Sequence, residues 1–189
     1  MNHRYLQKFQ IKDVVFLAIM SAVALATCAV MPLVISLQPL IFGISQLVTA
    51  LQIGVFFAIG LYKVRKPGSL LIMALMMGLI QLMMSPPMFL SSVLNGILIE
   101  LIVLLLFRGY EKDAAVFCAA MLHTPLSLPF NSLYNRLIKG ADSPLAAVAD
   151  RAPLAAVGMT LAVVAVSALG ALIGIKIARE LKKSGVLKK

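Results

Sequence analysis

Six apolar stretches fill almost the whole of this 189-residue chain. A membrane-spanning helix takes about 20 predominantly apolar residues, so six spans with short connections leave no room for a soluble catalytic domain. Hydrophobic residues make up 61% of the sequence and the mean hydropathy is +1.01, where soluble domains run at about 45–50% apolar. In hydrocarbon each backbone N–H and C=O needs an internal partner, and helices supply one. The expectation is therefore an all-α, polytopic membrane protein forming a single integral domain over residues 1–189. Its six transmembrane helices are expected at about 14–37, 40–62, 69–84, 88–107, 114–130 and 153–178.

Charge sets the topology. Basic residues cluster at the N-terminus (Arg4, Lys8, Lys12), in the turn Lys63-Val64-Arg65-Lys66-Pro67-Gly68, beside Arg108 and Lys112, and in the tail at Lys182, Lys183, Lys188 and Lys189. The turns at Ser36-Leu37-Gln38-Pro39 and Ser85-Pro86-Pro87 carry none. With an even number of spans, both termini fall on the cytoplasmic side. The net charge of +10 is then a positive-inside signal, and nucleic acid is not an expected partner. The longest connection, 133–152, interleaves Arg136, Lys139 and Arg151 with Asp142 and Asp150 on the outer side. Leu25-Ala26-Thr27-Cys28 has the outline of a lipoprotein cleavage box, but Thr27 fits poorly before the cysteine and the apolar run continues, so a retained helix is expected. Cys28 and Cys118 read as small buried hydrophobes rather than disulfide partners or metal ligands.

The stretch 88–107 carries a carboxylate. At about 100° per residue, Ser91, Ser92, Asn95, Gly96 and Glu100 share one half of the helix, opposite Val93, Leu94, Ile97, Leu98, Leu101, Leu104 and Leu105. A carboxylate at mid-bilayer costs about 2.5–3.5 kcal/mol on insertion scales, so it faces the bundle interior with a partner. On the fifth helix His123, Ser127, Asn131 and Tyr134 share a face if the helical phase survives Pro125 and Pro129. Each has a structural alternative: His123 as a satisfied core histidine, Asn131 and Asn135 as terminators of the helix, and Glu100 as a partner for His123. Ala18, Ala22 and Ala26 form a smooth stripe on the first helix, and Gly170-x-x-x-Gly174 marks the last. Small residues at these spacings let another helix approach closely, inside the bundle or from a partner.

Phosphate-loop and H-E-x-x-H motifs are both missing from the sequence. No enzyme activity, cofactor or metal is implied. A bundle with one deep carboxylate and a modest polar lining is suited to binding a small polar molecule. Two rivals stand beside that reading: an accessory membrane protein whose polar groups only hold the bundle together, and a small membrane enzyme using Glu100 and His123 as an acid–base pair.

Length, six helices, the inferred topology and the Ala18/Ala22/Ala26 stripe together resemble the S component, the substrate-capture subunit, of an energy-coupling-factor (ECF) vitamin transporter. The resemblance implies that the stripe docks the transmembrane T subunit, which engages two ATPases, in a prokaryotic plasma membrane. Arg65-Lys66-Pro67-Gly68, Gly96, Glu100 and Arg108 resemble the branch associated with thiamine and its hydroxymethylpyrimidine precursor. In that branch the helix 4 glutamate is expected to meet the aminopyrimidine through paired hydrogen bonds. This chain departs from it in having no Trp and only Tyr134 near the outer pocket. The implied substrate-binding set is Glu100, Asn95, Ser92, His123, Asn131, Tyr134 and Asn135.

Overall fold

The structure, a computed structural model, describes residues 8–28, 34, 37, 43–83, 86–139 and 152–187; the side chains of 135, 138 and 139 lie outside that description. Among the described residues there are six helices and no strands. They are α1 (Ile11–Thr27), α2 (Ile44–Val64), α3 (Ser69–Leu82), α4 (Pro86–Phe107), α5 (Asp113–Lys139) and α6 (Pro153–Lys183). Three of them, α2, α4 and α6, are long and apolar enough to cross a membrane. The 14-residue α3 is apolar but shorter.

α2 lies at the centre, packed on α1, α5 and α6, while α3 pairs with α4. The α2–α6 seam is built on glycines. A Cβ on Gly170 would stand 2.5 Å from the Leu51 carbonyl oxygen, and one on Gly174 would collide with that of Val55. From the other side, a Cβ on Gly54 would meet the Ser167 carbonyl oxygen at 2.9 Å. Backbone meets backbone here, the kind of close approach that supports helix association in lipid.

Polar side chains bridge the remaining seams. Ser21 donates to the Met73 carbonyl at 3.2 Å, joining α1 to α3, and Ser92 donates to the Ala74 carbonyl at 2.9 Å, joining α3 to α4. Large apolar residues on α4, including Leu101, Leu105 and Leu106, face outward, where hydrocarbon would suit them.

Two helix ends differ from expectation. α1 closes at Thr27, where the Cys28 N–H donates to the Leu25 carbonyl at 3.0 Å, instead of running to 37; the expected Ser36–Pro39 turn is not fully described. α5 continues past 130 to Lys139 despite Pro125 and Pro129. Proline removes the N–H that would bond four residues back, and Pro125 thereby frees the Met121 carbonyl. Ser167 of α6 donates to that oxygen at 2.7 Å, so a neighbouring helix supplies what the proline removed. Of the charged groups expected in the outer connection, Asp142, Asp150 and Arg151 lie outside the described residues.

Candidate functional site

One end of the bundle is tied through the turn 65–68. Arg65 donates to the Glu111 carbonyl and to Asp113 at the start of α5, and Asp113 also accepts from Arg179 of α6 at 2.6 Å. Lys66 reaches Asp13 at 2.6 Å and the Lys8 carbonyl at 2.9 Å. The N-terminal segment, the α2–α3 turn, the α4–α5 turn and the C-terminal part of α6 thus meet at one end, the grouping the basic clusters imply. Burial pushes the Asp113 carboxyl up, but the hydrogen bonds from Arg179 and Arg65 outweigh it and hold the group below its usual value. Asp13 is likewise low: burial raises it, and Lys66 with the Gln10 N–H more than compensates.

Glu100 belongs to this end. It is buried, its Oε1 accepts the Gly68 N–H at 2.6 Å, and its Oε2 accepts the Tyr110 hydroxyl at 2.9 Å. Gly68 is the N-cap of α3, at φ +90°. The carboxylate therefore sits where the first N–H groups of α3 need an acceptor and where the helix dipole favours negative charge. Glycine suits the position because a side chain at that φ is strained.

A second polar group lies farther along α4. Asn95 is five residues from Glu100, about 7.5 Å along the axis, and its Nδ2 donates to the His123 carbonyl at 3.1 Å. That oxygen lies two residues before Pro125 in α5. His123 is buried, with its ring centroid 4.5 Å from that of Phe57 at an interplanar angle of 57°. Thr124 is buried beside it. Ser127 donates to the Thr124 carbonyl at 2.7 Å.

The sequence-marked residues therefore divide. The Asn95 side chain meets the His123 backbone, while the His123 ring lies against Phe57. Ser92 is one turn before Asn95 and bonded to α3. Glu100 makes hydrogen bonds to Gly68 and Tyr110. Asn131 and Tyr134 lie half-buried farther along α5, and the Asn135 side chain is outside the description. On α1, Ala22 and Ala26 are exposed and Ala18 is half-buried.

Sequence reasoning passed over Tyr110, Phe57 and Thr124, and marked Gly68 only as part of the turn motif. Tyr110 was hidden inside a turn read only for its charges.

The chain has the fold of a membrane transporter's S component. It superposes on a crystal structure of an S-component of an ECF transporter with a TM-score of 0.64, covering 95% of this chain and 89% of that one at 21% identity. A family model described as hypothetical bacterial integral membrane protein (Trep_Strep) matches residues 11–183, and the chain belongs to that family. No curated protein matches it.

Proposed function

We propose that this protein is the substrate-capture subunit of an ECF-type uptake transporter, with six spans and both termini inside, in a bacterial plasma membrane. It takes a vitamin or vitamin precursor, thiamine or its hydroxymethylpyrimidine precursor being the candidates the sequence favours, and passes it inward with a T subunit and two ATPases. One observation carries the reading: a fold shared with an S-component over nearly the whole chain encloses a buried polar group at a proline-disturbed stretch of α5. Polar side chains deep in a helical bundle mark the places where membrane proteins hold solutes. Asn95 and His123 form the centre of this site. Ser92, Asn131, Tyr134 and Asn135 extend it toward the outer side, and Glu100 closes its inner end.

The docking surface for the T subunit is the outward face of α1. That helix packs on α2 and α3 and leaves Ala22, Ala26, Val15, Ile19 and Val23 exposed. Smooth alanine positions flanked by β-branched residues suit a close helix–helix crossing.

Co-purification with a T subunit and its ATPases tests the reading. Ala22→Trp should abolish assembly while the isolated subunit still retains its small molecule. Normal assembly of the variant would free α1 from this role.

A further inference from the structure

Four buried polar atoms on α4 and α5 have no hydrogen-bond partner among the described residues. Asn95 Oδ1, both ring nitrogens of His123 and Thr124 Oγ1 are buried without one among the described residues. Asn95 is 1% exposed, Thr124 3% and His123 4%. The Asn95 amide is oriented by its own hydrogen bond: Nδ2 donates to the His123 carbonyl, which leaves Oδ1 as the open acceptor. Thr124 departs from what helical threonines do elsewhere in this chain. Thr49 and Thr160 donate to carbonyls one turn back, at 2.9 and 2.8 Å. Buried polar atoms are normally paired, and each exception needs a reason.

The chemistry of the group is specific. A carboxamide oxygen accepts, a hydroxyl does both, and an imidazole offers one donor and one acceptor. Phe57 lies against the imidazole and supplies an apolar wall. None of these side chains is a carboxylate, lysine or arginine. The nearest acidic residue along α4 is Glu100, whose two oxygens accept from Gly68 and Tyr110. A carboxylate or phosphate placed among Asn95, His123 and Thr124 would be buried with no lysine or arginine beside it and could be paired only by charging His123 in an apolar site, and a quaternary nitrogen would have no anion.

We infer that Asn95, His123 and Thr124 hold an uncharged edge of the substrate, one presenting both donors and acceptors, as an amide, a lactam or an amino-substituted heteroaromatic ring does. Thr124 is thereby a specificity-determining residue, and the Glu100 carboxylate is not a ligand group. The inference rests on the capture-subunit reading above and narrows the substrate class within it.

An unpaired buried hydroxyl is a burden on the empty protein, so its removal separates a ligand contact from a structural one. Detergent-purified wild type, Thr124→Val and His123→Phe are denatured, and the released small molecules are measured by mass spectrometry, with thermal unfolding recorded alongside after exhaustive ligand removal. The expected result is a released molecule with a neutral amide or heteroaromatic edge, reduced about tenfold or more in both variants. Both stripped variants should unfold at or above the wild-type temperature. Retention of the wild-type amount by either variant, or a released molecule whose only hydrogen-bonding groups are ionised, overturns the inference and leaves the capture reading standing. Loss of ligand together with loss of thermal stability in Thr124→Val makes the hydroxyl structural and also overturns it. If wild type releases nothing and retains nothing from a small-molecule cell extract, the capture reading falls as well.

Discussion

The Gly68 N–H donates to Glu100 Oε1 at 2.6 Å, so the single acidic group on α4 caps the start of α3. The Tyr110 hydroxyl completes the arrangement from the α4–α5 turn. One carboxylate thus fixes two turns. Glu100→Gln preserves an acceptor for Gly68 but loses the charge that strengthens both bonds, at an expected cost of about 1–2 kcal/mol. Glu100→Ala leaves both donors buried and unsatisfied and should cost more. Thermal unfolding in detergent checks the order, and equal stability of wild type and both variants would sink the capping role.

Asp113 joins Arg65 and Arg179 on a partly exposed surface, where water screens the ion pairs and keeps their contribution modest. Its carboxyl titrates below the ordinary value of 3.8. A depressed folded value means that the contribution is complete above the unfolded carboxyl's range and is lost as pH falls through the lower folded value. Asp113→Asn should lower stability at neutral pH and flatten the acid side of the unfolding-temperature profile. An acid limb as steep in the variant as in wild type would contradict the assignment.

The α2–α6 seam predicts its own failure. Gly174→Leu places a side chain against the Val55 carbonyl and the Ala58 methyl, where neither backbone can yield without separating the helices. A loss of about 1–3 kcal/mol is expected. Gly158, with nothing within 4 Å of an added Cβ, is the control on the same helix: Gly158→Ala should leave unfolding unchanged or slightly raise it.

Ser167→Ala removes the donor that serves the carbonyl freed by Pro125. A buried acceptor then loses its partner, at a cost of about 1–3 kcal/mol. Ser167→Thr, which keeps the hydroxyl, should recover part of it. Hydrogen exchange across α5 would locate the change around residues 121–125, and an effect confined to α6 would speak against this account.

How far the sequence could be read depended on whether a residue's partner lay on its own helix. Glu100 was visible as a buried interior group because a carboxylate in an apolar run has few places to go. Its partners were not, since a helical wheel gives a face but no register between helices, and Gly68 and Tyr110 contribute a backbone N–H and a turn side chain. The pairing considered for Glu100, with His123, is not the one formed: His123 sits beside Phe57 and Asn95 instead. The polar face of α5 was read with the bends at Pro125 and Pro129 as its weak point. The helix runs on because Ser167, distant in sequence, repairs the backbone, and no periodicity within α5 carries that information. Gly170 and Gly174 announced a close approach, but only the structure names α2 as the neighbour.

The short α3 bears on the membrane itself. Fourteen residues rise about 21 Å, against a hydrocarbon core of about 30 Å, while α4 beside it has 22 residues and rises about 33 Å. With Leu75, Leu79, Ile80 and Leu82 exposed on α3, lipid acyl chains on that flank would meet a hydrophobic surface shorter than themselves. In a bilayer that mismatch would be met by local thinning or by an off-centre helix, which would make acyl-chain length a variable to which this flank responds.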